Sequence, residues 1–165
     1  PDVEYSLSDI AMESGVAKAN IGTILDEFYQ RGLISIKKLK KIWRISTNME
    51  AWDFVKLKIP FNLHQLYQSG LVEYLEEFYE HPKAIILFGS FRWGKDISNS
   101  DIDIAIIDDD AKEYRVETTE KLLEWREKYG RKLQIHVLNR KVADPNVFSS
   151  IINGIVLTGF LEVEQ

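Results

Sequence analysis

Residues 84–107 read AIILFGSFRWGKDISNSDIDIAII. Ala84–Phe88 is a short, unbroken apolar run, the pattern of a buried strand. Gly89-Ser90 breaks it. After a polar loop the chain alternates again at Asp101-Ile102-Asp103-Ile104. Period-2 geometry puts the two aspartates on one strand face and the two isoleucines on the other. Two carboxylates on one face, opposite a Gly-Ser turn, form an arrangement for holding a divalent metal beside a phosphate. Gly89 has no side chain to keep a phosphate from the backbone. Ser90 offers a hydroxyl and an N–H to a phosphate, and a helix starting near Phe91 would add a favourable field for an anion. Arg92 and Lys95 lie in the loop, where they can neutralise phosphate charge. Ser100 can fix the strand entrance or bond the first acid. Asp101 and Asp103 are hard oxygen ligands suited to Mg²⁺.

Working outward, Asn62 is expected to cap a long helix carrying Leu63, Leu66, Tyr67, Leu71, Leu75 and Phe78. Gly70 inside it implies a kink or two helices, and His81-Pro82 ends it. Asn48–Ile59 reads as transitional, with Trp52 and Phe54 as packing residues and Pro60 as punctuation. Downstream, Asp108-Asp109-Asp110 leaves the strand as a loop. Tyr114–Tyr129 reads as an amphipathic helix using Val116, Leu122, Leu123, Trp125 and Tyr129, stopped by Gly130. Leu133–Leu138 is a third strand, with Leu133, Ile135 and Val137 on one face and Gln134 and His136 on the other. Asp144-Pro145-Asn146 turns into a short helix, Val147–Ile152, and Ile155–Phe160 is a last strand or an extended tail.

The first fifty residues differ in character. Ser6 or Ser8 can cap a short helix with Leu7, Ile10 and Ala11. Ser14-Gly15-Val16 breaks it, and a longer helix carries Ala17, Ile21, Ile24, Leu25 and Phe28 to Arg31-Gly32. Leu33–Ile36 and Ile42–Ile45 read as short strands around the basic turn Lys37-Lys38-Leu39-Lys40-Lys41. The pattern SLSDIAMESGVAKANIGTILDEFYQRGLI resembles the winged helix-turn-helix of small prokaryotic transcription regulators. That resemblance implies DNA binding: Lys18, Asn20 and Thr23 on the second helix would enter a major groove. Lys37, Lys38, Lys40 and Lys41 would meet phosphates, flanked by Arg31 and Arg44. The alternative is a solvated hairpin in a small packing module. Such modules usually have a helix ahead of the first one here, where only residues 1–5 stand. Either that helix lies upstream of this chain or the module is truncated.

The GS…G…SDID pattern, LFGSFRWG followed by SDIDIAI, resembles the nucleotidyltransferase superfamily that includes DNA polymerase β, and within it the small minimal nucleotidyltransferases. The resemblance covers about Leu71–Gly159. It implies an α+β fold, a small mixed β-sheet with helices packed on it, following the N-terminal winged helix-turn-helix. The expected domains are residues 1–50 and 60–165, with a boundary between Thr47 and Pro60. It also implies transfer of a nucleoside monophosphate from a triphosphate, ATP as first choice, to a hydroxyl acceptor such as a protein or RNA. Asp101 and Asp103 would be catalytic and hold one or two Mg²⁺ ions, and Gly89, Ser90, Arg92 and Lys95 would hold the triphosphate. Two departures stand out. The family commonly places Ala then Arg where Arg92 and Trp93 stand. Active members carry a third carboxylate where Gln134 stands, with His136 two residues on and on the same face. Gln134 can ligate Mg²⁺ through its carbonyl but cannot act as a base, whereas His136 could.

Composition bounds the remaining possibilities. The chain has 165 residues, no cysteine and a formal net charge of −5. Disulfides and thiolate metal sites are excluded, and a reducing, cytoplasmic setting is compatible. The mild acidity argues against indiscriminate nucleic-acid binding but leaves room for a local basic patch. No apolar run has the length of a membrane span and no leader is evident. Two rivals to the enzyme reading remain. One is a DNA-binding regulator whose transferase-like domain senses a nucleotide. The other is a toxin–antitoxin component that modifies a protein partner.

Overall fold

The computed structural model describes residues 2–40, 42–117 and 120–162. The chain divides into two compact units, residues 1–57 and 58–165. In the first unit, Ser6 caps helix α1 (Leu7–Ser14) through a capping box with Asp9, and Gly15 closes it in the left-handed conformation. Helix α2 (Lys18–Gln30) buries Ile21 and Leu25. Gly32 at φ +69° turns the chain into strand β1 (Ile34–Leu39), which pairs antiparallel with β2 (Ile42–Thr47). The strands are longer than expected. Lys37 and Lys38 lie within β1 and only Lys40, at φ +49°, is at the turn; Lys41 lies outside the described residues. Tyr5 forms a bridge with Ile45 through two backbone hydrogen bonds of 2.9 Å. Ile21, Leu25, Leu33, Ile34 and Ile45 make the small core, with Trp43 and Phe54 packed on it.

Helix α3 runs from Trp52 to Gln68 with Pro60 inside it. The expected transitional segment is therefore mostly helical, and Asn62 is an interior residue rather than a cap. Its side chain is buried and donates to Phe91 O at 2.9 Å and Asp96 Oδ1 at 3.0 Å. Gly70, at φ +77°, separates α3 from α4 (Leu71–Phe78), so the expected long helix is two.

The second unit is built on a five-stranded sheet in the order β5-β6-β4-β3-β7. Its strands are β3 (Ala84–Phe88), β4 (Ile102–Ile107), β5 (Arg115–Glu117), β6 (Leu133–Leu138) and β7 (Ile155–Gly159). β4 and β6 are parallel and the other pairs antiparallel. A parallel pair needs a crossover connection. Here it contains β5 and helix α6 (Glu120–Tyr129). The expected helix 114–129 is thus a short edge strand followed by a helix, because Tyr114 and Val116 belong to an extended segment. Helix α7 (Pro145–Ile152) is capped by Asp144.

Every side chain of β3 is buried because both sheet faces are covered there. One face carries Ile85, Leu87, Ile102, Ile104, Ile106, Ile135 and Val137. It packs on Leu66, Leu71, Leu75 and Leu122 from α3, α4 and α6. Each such aliphatic side chain gains about 1.5–3 kcal/mol from burial. The other face carries Ala84, Ile86, Phe88, Ala105, Ile107 and Leu138 and meets Ile151 of α7, with Val147 and Phe148 alongside. The period-2 pattern places Asp103, Gln134 and His136 on this second face.

Candidate functional site

The site forms where β3 ends. Phe88 is register partner of Asp103, which is itself register partner of Gln134 on β6. Directly after Phe88, Gly89 adopts φ +70°, a conformation that favours glycine. A Cβ at this position would stand 2.2 Å from Asp103 Oδ2, so the missing side chain is the space the carboxylate occupies. The helix expected near Phe91 is a single turn, α5 (Gly89–Arg92), and starts two residues earlier. Its field on an anion is correspondingly slight, since the macrodipole grows with aligned peptide units.

Asp101 immediately precedes β4 and is half-buried, as is Asp103. The Gln134 amide nitrogen donates to Asp101 Oδ2. The side chain at the place of the expected third acid is therefore tied to the first one. His136 is buried and lies edge-on to Phe88, with ring centroids 4.9 Å apart. Its Nδ1 is 2.7 Å from the Tyr114 hydroxyl, and its Nε2 is 3.7 Å from Asp103 Oδ1 and has no hydrogen-bond partner. Burial, then the Asp103 charge, raises the Tyr114 pKa, so this phenol stays protonated at neutral pH. A carboxylate accepts only, so the arrangement favours the tautomer with hydrogen on Nε2 and Tyr114 donating to Nδ1. Tyr114 is a site residue that the sequence reading missed; only the β5–β6 pairing brings it next to His136.

The loop residues fall into two groups. The Arg92 guanidinium lies 3.5 Å over the Trp93 ring. Lys95 is exposed, and its backbone N–H donates to Ser90 O at 3.1 Å. The Ser100 hydroxyl accepts from Ile97 N at 3.0 Å. Between them Asp96 is 1% exposed and is held by Lys58 at 2.7 Å, Arg131 at 2.9 Å and Asn62 at 3.0 Å. Arg131 also donates to the carbonyls of Ile97 and Ser100. The loop is thus clamped from α3 and from the turn before β6, which sets where Asp101 emerges.

Asp101 and Asp103 supply two hard oxygen donors beside the Gly89 cradle. That set fits one hard divalent cation completed by ligand phosphates, the usual mode for Mg²⁺. It does not fit an all-protein cage. Among the described residues no group of three or more His, Asp or Glu is gathered to hold a metal. With Gln134 bonded to Asp101, a second ion lacks a third carboxylate.

The nucleic-acid candidates of the first unit are separate from this set. Lys18, Asn20 and Thr23 are exposed on α2, and Lys18 donates to Ser8 Oγ at 2.7 Å. Lys37, Lys38 and Lys40 are exposed on the hairpin. Glu4 is within 3.9 Å of Lys37 and 3.0 Å of Arg44, and Lys38 lies 4.4 Å over the Trp43 ring.

A family model described as Polymerase beta, Nucleotidyltransferase matches residues 69–159, more than half of the chain. No curated protein and no solved structure matches it.

Proposed function

Since the chain belongs to the polymerase beta nucleotidyltransferase family, we propose that its second unit is a metal-dependent nucleotidyltransferase acting on a nucleoside triphosphate and a hydroxyl acceptor. The observation that carries this reading is the Asp101–Asp103 pair set against the glycine turn at the end of β3. Gly89 and Ser90 receive the triphosphate, and Arg92 and Lys95 balance its charge. Asp101 and Asp103 would hold Mg²⁺, which supplies Lewis-acid charge at the reacting phosphate when bound. The acceptor oxygen attacks the α-phosphorus and a new O–P bond forms. The bond from that phosphorus to the bridging oxygen breaks, pyrophosphate leaves with the electron pair, and the hydroxyl proton passes to solvent. Gln134 orients Asp101. His136 stands 3.7 Å from Asp103, beside the metal position.

Titration calorimetry tests the reading. With Mg²⁺ present, a nucleoside triphosphate is expected to bind the wild-type chain. Asp101→Ala and Asp103→Ala are each expected to weaken binding at least tenfold. Absence of Mg²⁺-dependent triphosphate binding, or unchanged binding in both variants, sinks it. Pyrophosphate release with candidate acceptors, lost in Asp101→Ala, separates turnover from nucleotide sensing.

A second reading concerns the first unit. The exposure of Lys18, Asn20 and Thr23 together on α2, with Lys37, Lys38 and Lys40 on the hairpin, supports a winged helix-turn-helix that binds DNA. Gel-shift titrations at several salt concentrations are expected to show affinity falling steeply with salt. No binding at low salt excludes it.

A further inference from the structure

Beyond the metal and phosphate residues, the same end of the sheet opens into a groove of about 460 Å³. It is lined by Phe88, Gly89, Trp93, Ser149, Ser150 and Asn153. Its volume is that of a small-molecule site. It begins at Gly89, and its far wall is the exposed side of α7, which the sequence marks only as a short helix. Trp93 is 51% exposed. The Arg92 guanidinium lies 3.5 Å over its ring. One indole face is therefore steadied by a cation while the side chain as a whole stays open to solvent. The α7 side chains are polar and exposed. Ser150 Oγ donates to Asn146 O at 3.1 Å and Asn153 Nδ2 to Ser149 O at 2.7 Å, so the Ser150 oxygen and Asn153 Oδ1 retain acceptor capacity.

We infer that this groove is the nucleoside subsite, with Trp93 as the stacking platform for the base and Ser149, Ser150 and Asn153 as polar partners for base and ribose. The inference rests on the proposed function, because Gly89 is where the triphosphate is placed there. A triphosphate held at Gly89 has its nucleoside end within reach of the groove, and an aromatic face is what any base can stack on. The replacement of the family's usual Ala-Arg by Arg92-Trp93 then has a use: the basic residue moves one position earlier in the chain and braces the ring. The rival occupant of the groove is the acceptor.

Calorimetry in Mg²⁺ with two probes separates these outcomes: a non-hydrolysable α,β-methylene ATP and inorganic tripolyphosphate. The wild-type chain is expected to bind the nucleotide at least tenfold more tightly than tripolyphosphate. Trp93→Ala is expected to erase most of that advantage, about 5- to 150-fold for one lost stack. It should leave tripolyphosphate within twofold, and Trp93→Phe should retain most of the advantage. Equal affinity for the two probes in the wild type overturns the inference while leaving the function reading intact. So does an unchanged nucleotide affinity in Trp93→Ala, which would give the groove to the acceptor. A loss shared equally by both probes also overturns it, because the effect would then run through Arg92 and the phosphates. If neither probe binds, the function reading fails and takes the subsite with it. Melting curves on both variants confirm that each folds, as an exposed side chain allows.

Discussion

At position 89 a side chain would meet two obstacles together: φ of +70° and a Cβ 2.2 Å from Asp103 Oδ2. The left-handed backbone alone costs a non-glycine residue about 1–2 kcal/mol. The carboxylate would also have to move. Gly89→Ala is therefore expected to lower stability in urea by about 2 kcal/mol and to weaken Mg²⁺-dependent triphosphate binding at least tenfold. Gln134 invites the opposite experiment. Gln134→Glu would exchange a donor to Asp101 for a third carboxylate, so its melting temperature should fall below wild type in EDTA. Added Mn²⁺ should recover the loss, and the metal-induced rise should exceed that of wild type. A variant indifferent to metal would argue that residue 134 does not face the cation position.

At the scale of elements, the loop from α5 to β4 depends on Asp96. Removing one partner from a buried ion cluster strands the others, at a cost of about 3–5 kcal/mol. Asp96→Ala leaves Lys58 and Arg131 facing each other without their shared anion, and urea unfolding should show a loss in that range. Asp96→Asn, which retains an acceptor, should cost less. In the sequence Asp96 looks like any loop acid between Lys95 and Ile97. Its burial arises from α3 and from Arg131, both far along the chain, so local pattern carries no sign of it. The same reason hides Asn62, whose partners lie about 30 residues on, and Tyr114, whose neighbour His136 is reached through strand pairing. Pro60 misled for a different reason. Proline usually ends a helix by removing an N–H, yet α3 continues through it, with Val55 before it and Leu66 after it both buried. Strands β3, β4 and β6 were legible because burial on one or both faces writes itself into period 2 or an apolar run. The three-residue β5 was not, since Val116 and Leu123, seven residues apart, also satisfy a helical spacing. At the site, Gly89, Asp101, Asp103, Gln134 and His136 were legible because they lie on or next to those strands. The groove wall on α7 was not, because it depends on how a helix packs over the sheet.

At the scale of the whole molecule, acid and alkali act on different groups. Burial, then the hydrogen bond and charge of Glu117, raises the Tyr79 pKa. Burial likewise raises Tyr129 and Tyr114. These groups hold their protons more tightly folded than unfolded. Their contribution is therefore complete below about pH 10, the ordinary tyrosine value, and is lost as pH rises through the folded values. Glu117 behaves oppositely. Burial pushes its carboxyl up, but the bonds from Arg115 and Tyr79 prevail and hold it below the ordinary value. Its contribution is present above the unfolded pKa and is lost as pH falls through the folded one. Urea midpoints should decline on both limbs, and Tyr79→Phe should flatten the alkaline one. Among the described residues no helix is long and apolar enough to cross a membrane.

The pairing of β3 with β7 has a consequence in time. Ala84 is matched to Gly159, and a Cβ on Gly159 would stand 2.2 Å from Lys83 O. All of the chain between Ala84 and Gly159 must close into one loop before the edge strand can dock, whereas Leu39 meets Ile42 across a tight hairpin. Non-local pairings of that kind set slow folding rates. Stopped-flow refolding should show the hairpin region protected from exchange early and β7 late, with Gly159→Ala slowing the last phase or abolishing it.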